Sequence, residues 1–229
     1  MIVKSFGCSF VFGSELSDAN NAQSSQLTWP ALLAQNVKLD YKCYAWPGSG
    51  NLQILEQILN QAAVPDTAIF VISWTWIDRF DYYQSLPSRH NWKTIMPVDE
   101  DHTAQIYYRD LHSEYRDKFT NLSYIKLAID TLQQKQIPFV MTYMDELLFD
   151  QRWNISAAVT DLQQYVYPYM TKFDGMTFLD WSRKHGYLET PNWHPLEQAH
   201  ADAADLIKSL WAEVSRKCIT AAEISYSVK

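Results

Sequence analysis

Gly7-Cys8-Ser9-Phe10-Val11-Phe12-Gly13 follows directly on the apolar run Met1-Ile2-Val3-Lys4-Ser5-Phe6. A β-branched run broken by glycine, a small polar residue and a second glycine predicts a strand entering a tight turn, with Ser9 on that turn. Open α/β sheets hold their ligands outside the carboxyl ends of the strands, so a serine in this place has a functional reading. The plain alternative is a strand-to-helix turn whose serine only caps the next segment.

Working outward, Glu15 to Gln26 is rich in Ser, Asn and Asp and reads as a loop close to the serine. Thr28 resembles an N-cap, with Pro30 in the first turn and Trp29, Leu32, Leu33 and Val37 at helical spacing. Leu39 to Trp46 is a second strand, ending in Pro47-Gly48-Ser49-Gly50-Asn51, and the helix after it closes before Pro65. Thr67 to Ser73 is apolar almost throughout, as a central parallel strand buried on both faces requires. Ile137 to Tyr143 and Met176 to Leu179 are the remaining strand-like runs. Helical patterns cover roughly Asn121 to Gln136 and Pro195 to Lys217, the latter with Ala199, Ala203, Leu206, Ile207, Leu210 and Val214 on one side. Strands alternating with helices predict an α/β, three-layer, flavodoxin-like fold: about five mostly parallel strands with helices on both faces.

A chain of 229 residues suits a single domain spanning 1–229, with a lid-like insertion around 74–117, a stretch too long for a simple connection. The net charge of −7 argues against a nucleic-acid footprint and against anionic membrane surfaces. The three cysteines, Cys8, Cys43 and Cys218, are odd in number and far apart, which suits a reducing compartment. No stretch is long and apolar enough to span a membrane. A first strand beginning at Ile2 leaves no room for a signal peptide, so cytoplasmic residence is expected, in the owner's cell or a host's.

A nucleophilic serine needs a base, a group to orient that base, and donors for the developing oxyanion. Of the six histidines, only His194 has a persuasive setting, in Asn192-Trp193-His194-Pro195 just before the last helix. His200 reads as a packing or capping residue. His102 and His112, near Asp99, Glu100 and Asp101, match no zinc spacing, and no metal or organic cofactor is expected. The aromatic run Trp74, Trp76, Phe80, Tyr82 and Tyr83 reads either as core and lid packing or as a stacking platform for a sugar. Arg79, just past the third strand, is placed to face a polar substrate.

The order of these short blocks resembles the SGNH (GDSL-type) hydrolases: Gly-Cys-Ser-Phe, then Gly-Ser-Gly-Asn after the second strand, a polar turn after the third, and His-Pro before the last helix. The resemblance implies Ser9 as nucleophile, His194 as general base, and the N–H groups of Ser9 and Gly48, or else Gly50, as oxyanion donors. Asn51, Trp74 and Arg79 are assigned to substrate contact. Two departures stand out. Ser73-Trp74-Thr75-Trp76 replaces the family's Gly-x-Asn-Asp, leaving the Thr75 hydroxyl as the substitute donor, and losing one such donor costs about 3 kcal/mol of transition-state stabilisation. Pro191 and Asn192 stand where the family carries an aspartate before the histidine. Asn192 is then the residue to orient the imidazole, with Asp174, Asp180 or Glu189 as alternative carboxylates and Cys8 as an alternative nucleophile. A misoriented base loses roughly four orders of magnitude in rate.

The resemblance implies a serine esterase acting on a small ester or an acetylated carbohydrate. The alternative is a catalytically degenerate binding or structural module on the same scaffold. Gly-Cys-Ser-Phe followed by Gly13 also looks like small SGNH-like proteins of bacteriophages, for which the module would be a particle component. The sequence leaves the oligomeric state open.

Overall fold

The computed structural model describes residues 1–20, 22–84 and 92–215; His90, Cys218 and the end of the final predicted helix, 216–217, lie outside them. The first strand, β1 (Ile2–Phe6), enters a one-turn helix, α1 (Ser9–Phe12). Then follow α2 (Trp29–Asn36), β2 (Asp40–Cys43), α3 (Asn51–Ala62) and β3 (Ala68–Trp74). The order of the main sheet is β2-β1-β3-β6, all parallel, where β6 is Phe139–Tyr143. The chain leaves β1 toward β2 on one side and returns as β3 on the other. That reversal opens a crevice at the carboxyl end of β1, and Ser9 stands at its edge.

Alternation along β3 divides the core into two layers. Ile69 and Val71 pack with Trp29 and Leu33 of α2 and with residues of two later helices, α7 (Phe178–Lys184) and α8 (Glu197–Leu206). Phe70 and Ile72 pack on the other face with Ile54 and Ile58 of α3, and with α5 (Glu114–Gln134) and α6 (Ala157–Val166). Every residue of β3 is buried, as its unbroken apolar run predicts.

Three sequence expectations change. Met176 to Leu179 is not a strand, so the sheet has four strands rather than about five among the described residues. Thr177 caps a helix there: its Oγ1 accepts from the Asp180 N–H and donates to Asp180 Oδ2, and this local cap outweighs the β-like composition. The last helix breaks at Ile207 and resumes over 208–215. Ala199, Ala203, Ile207 and Trp211 enter the core, while Leu206 and Leu210, three residues on from Ala203 and Ile207, lie at the surface.

The insertion is structured. It holds an antiparallel pair, β4 (Phe80–Tyr83) and β5 (Trp92–Ile95), and a short helix, α4 (His102–Ile106), before α5 begins at Glu114, earlier than its apolar pattern indicates. Buried Asp81 of β4 ties this hairpin to the sheet end: its carboxylate accepts from the Gly50 and Gln53 N–H groups at 3.0 Å each, from Gln53 Nε2 at 3.2 Å and from Thr94 Oγ1 at 2.6 Å. A carboxylate at the start of α3 satisfies N–H groups that the helix cannot, and it suits the positive end of the helix dipole.

Candidate active site

Ser9 is the first residue of α1, and its N–H has no acceptor within that helix. Its Oγ lies 2.9 Å from His194 Nε2. The imidazole reaches it from a turn in which the Thr190 N–H donates to the His194 carbonyl and the His194 N–H donates to Thr190 Oγ1. Trp193, immediately before, has φ of 65°. So bulky a residue in the left-handed region is a strained arrangement of the kind found at functional sites. Phe10 meets the His194 ring edge-on at 5.1 Å between centroids and so fixes its plane.

The other imidazole nitrogen, Nδ1, lies 2.5 Å from Glu15 Oε2. Sequence reasoning missed this carboxylate, placing Glu15 only at the start of a loop near the serine. The path that brings it over is local. Gly13 ends α1 with φ of 77°, and Glu15 itself has φ of 69°, so the chain doubles back beside the nucleophile turn. The signal available was an acidic residue six positions after the serine, but its direction depends on those two left-handed residues. Asn192 makes no hydrogen bond to the imidazole. Its Nδ2 donates to Glu15 Oε1 at 2.8 Å, while the Thr190 hydroxyl donates to Oε2 at 2.7 Å. The Thr190 and His194 hydrogen bonds together hold the Glu15 carboxyl below the ordinary glutamate value, against a small opposing effect of burial. None of the predicted alternative carboxylates reaches the ring: Asp180 caps α7, Glu189 pairs with Arg183 at 3.1 Å, and Asp174 sits exposed in a left-handed turn.

The turn after β2 is anchored to the nucleophile turn through the Trp46 N–H, which donates to the Gly7 carbonyl at 3.2 Å. The Gly50 N–H is engaged by Asp81, whereas the Gly48 N–H has no acceptor among the described residues. Of the two glycines considered for the oxyanion, only Gly48 is therefore free to donate. Arg79 braces the same turn: its Nη1 donates to the Ser49 carbonyl at 2.9 Å, and its guanidinium lies 5.0 Å over the Trp76 ring, which in turn packs on Phe10.

Three residues assigned to the site have other positions. Asn51 is buried, with Oδ1 accepting from the Thr75 N–H and Nδ2 donating to the Thr75 carbonyl and to Asn121 Oδ1. It clamps the end of β3 and has no donor left for a substrate. Trp74 is 0% exposed, enclosed in the core layer under α3 and α5, because the last strand residue faces inward; its neighbour Trp76 is the one at the site. Thr75 is also 0% exposed, and its Oγ1 meets neither a partner nor the surface, so an oxyanion above Ser9 cannot reach it. Cys8 is the buried N-cap of α1, behind the serine. His200 is wholly enclosed, as its packing role predicts, with Nδ1 accepting from the Trp29 N–H at 3.2 Å, and burial lowers its pKa to about 3.

No family model and no curated protein matches the sequence. Solved structures do match along most of the chain. A member of the lipolytic protein G-D-S-L family from Veillonella parvula is 15% identical, with 92% of this chain and 98% of that one covered and a TM-score of 0.53. A carbohydrate esterase family 2 enzyme with a carbohydrate-binding domain from Corynascus is 13% identical, with 93% and 66% covered and a TM-score of 0.53. The psychrotrophic esterase EstA from Pseudoalteromonas is 12% identical, with 96% and 98% covered and a TM-score of 0.50. From strand order, the crevice at β1 and these likenesses together, the chain has the SGNH flavodoxin-like α/β fold of the G-D-S-L lipolytic proteins and carbohydrate esterases.

Proposed function

We propose that the protein is a serine esterase that cleaves a small acyl ester, with an O-acetylated carbohydrate as the substrate class. The single observation that carries this reading is the chain of contacts from Ser9 Oγ through the His194 ring to Glu15. Ser9 Oγ attacks the ester carbonyl carbon while His194 Nε2 takes the hydroxyl proton. Glu15 stabilises the imidazolium and fixes its tautomer, with Asn192 and Thr190 acting as positioning residues for the carboxylate. The N–H groups of Ser9 and Gly48 hold the oxyanion. Collapse of the tetrahedral intermediate releases the alcohol, which takes the proton from His194. Water, activated by the same imidazole, then cleaves the acyl-enzyme and regenerates Ser9. Arg79 stands beside the oxyanion turn and faces the polar part of the substrate. Two backbone donors without a side-chain amide predict a slow enzyme, since one oxyanion donor is worth about 10²–10³ in kcat.

The carbohydrate part of the reading is supported by the fold shared with a carbohydrate esterase family 2 enzyme. Two free cysteines, Cys8 and Cys43, support a reducing compartment and hence the cytoplasm. No helix among the described residues is long and apolar enough to cross a membrane. The competing reading, a binding module without turnover, rests on the missing asparagine of the family's Gly-x-Asn-Asp, the missing aspartate before His194 and the large aromatic insertion. Glu15 answers the second of these; the lack of a side-chain oxyanion donor at Thr75 and the insertion remain as its support.

A fluorophosphonate probe and hydrolysis of 4-nitrophenyl acetate test the proposal. Stoichiometric labelling at Ser9, with turnover lost in Ser9→Ala, is the expected outcome. An inert protein, or undiminished turnover in Ser9→Ala, sinks it.

A further inference from the structure

The turn after β2, the first half of α3 and the face of the β4–β5 hairpin turned toward α3, which carries Tyr83, Trp92 and Thr94, line a groove of about 560 Å³. That size falls within the range of small-molecule sites. Its wall begins at the proposed catalytic turn, because Gly7 and Gly48 both line it. Trp46, which is 46% exposed, packs edge-on against Phe12 of α1 at 6.2 Å. Across the groove Tyr83, 57% exposed, meets Trp92 edge-on at 5.4 Å, and the indole N–H of Trp92 donates to Glu56 Oε2 at 2.7 Å, which fixes that ring.

Between the rings the lining is hydrogen-bonding rather than aliphatic. Gln57 has no hydrogen-bond partner among the described residues, and Glu56 keeps its second carboxylate oxygen. Rings whose faces accept C–H groups, interspersed with amide and carboxylate groups that bind hydroxyls, match the alternating apolar and polar surfaces of a pyranose. The one aliphatic side chain from α3 in the wall, Ile54, is itself buried, so an acyl chain would find little to cover it. A lining with a carboxylate on Glu56, in a chain of net charge −7, gives a polyanion no purchase.

We propose that this groove is a subsite for a neutral oligosaccharide, whose sugar units lie on Trp46, Tyr83 and Trp92 and present an O-acyl group to Ser9. The proposal rests on the esterase reading for the position of the acyl group, but sugar binding is measurable without it. Ser9→Ala protein, which leaves bound esters intact, is titrated with xylotriose, cellotriose and tri-N-acetylchitotriose by calorimetry and tryptophan fluorescence. Saturable binding of at least one trisaccharide is expected. In the same background Tyr83→Ala and Trp46→Ala weaken it at least tenfold, whereas Trp46→Phe, which keeps a ring, stays within about threefold of the parent. Gln57→Ala, a surface change that spares the rings, also weakens binding if the alanine variants at Trp46 or Tyr83 prove unstable in thermal melts.

Failure of all three sugars to bind, or equal binding by the parent and the Gln57, Tyr83 and Trp46 alanine variants, overturns the subsite. So does a change in ester chain-length preference in Tyr83→Ala without any sugar binding, which would assign the groove to an acyl chain. The two readings separate cleanly: sugar binding by a protein that hydrolyses no ester supports the subsite and refutes the esterase. Hydrolysis of 4-nitrophenyl acetate without sugar binding does the reverse.

Discussion

His194 Nδ1 lies 2.5 Å from Oε2 of Glu15, a residue 179 positions earlier in the chain. The base therefore depends on a carboxylate supplied by the nucleophile's own loop, not by the segment just before the histidine. Glu15→Gln keeps the shape and removes the charge, so kcat for 4-nitrophenyl acetate should fall roughly 10³–10⁴-fold with unchanged circular dichroism. Asn192→Ala, which frees one carboxylate oxygen but leaves the charge, should cost about tenfold or less. A Glu15→Gln enzyme within threefold of the parent would refute the role.

The folded Glu15 carboxyl titrates below its ordinary value of 4.5. A depressed carboxylate contributes stability that is complete above the unfolded pKa and is lost as pH falls through the folded one. Glu15 should accordingly be silent between pH 5.5 and 8. In denaturation series on the His194→Gln background, where no imidazole titrates against Glu15 and the Thr190 hydrogen bond remains, Glu15→Gln and its parent should run parallel over that range and converge only below about pH 4.5. Divergence above pH 6 would contradict the assignment.

His200 acts in the same direction, at higher pH. Burial is the main cause of its lowering from 6.5 to about 3, with nearby His194 adding to the effect and Glu197 opposing it. The unfolded chain then binds a proton below pH 6.5 that the folded chain refuses, so stability falls on acidification across the whole interval from 6.5 to about 3. Between pH 7.5 and 5.5 this one residue should remove about 1.4 kcal/mol. His200→Gln, able to accept the Trp29 N–H, should flatten that part of the urea-denaturation profile, and an unchanged slope would count against the buried neutral imidazole.

Thr75 holds a hydroxyl that is buried without a partner. Thr75→Val removes it at nearly constant shape and should raise stability by about 1 kcal/mol while turnover changes less than twofold. A tenfold loss of kcat instead would show that the hydroxyl reaches the oxyanion after all.

Asp81 joins the insertion to the oxyanion turn. Asp81→Ala leaves the Gly50 and Gln53 N–H groups without their acceptor and should cost about 3 kcal/mol in urea denaturation. Gly50→Ala attacks the same joint from the other side, because a Cβ there would stand 2.6 Å from the Asp81 carboxylate oxygens. Both variants should lower kcat by loosening the turn that carries Gly48; wild-type turnover in both would separate the hairpin from the site.

Short-range pattern determined much of this protein. The unbroken apolar run of β3 and the glycine-bounded serine turn are local chemistry, and both lie where their residues place them; Pro195, read as the first turn of the last helix, instead bridges to Glu189, and α8 begins at Glu197. What only the tertiary structure decided are the directions of side chains at element ends. Trp74 and Trp76 are two residues apart, yet one is sealed in the core and the other lies against Phe10, because the strand ends between them. Asn51 looked like a ligand for substrate and is instead wholly used in clamping Thr75. Glu15 became the partner of His194 through two left-handed residues, and no periodicity encodes a turn of that kind. Hydrophobic spacing specifies which face of an element is buried; it carries no information on which polar group a loop will swing across a crevice.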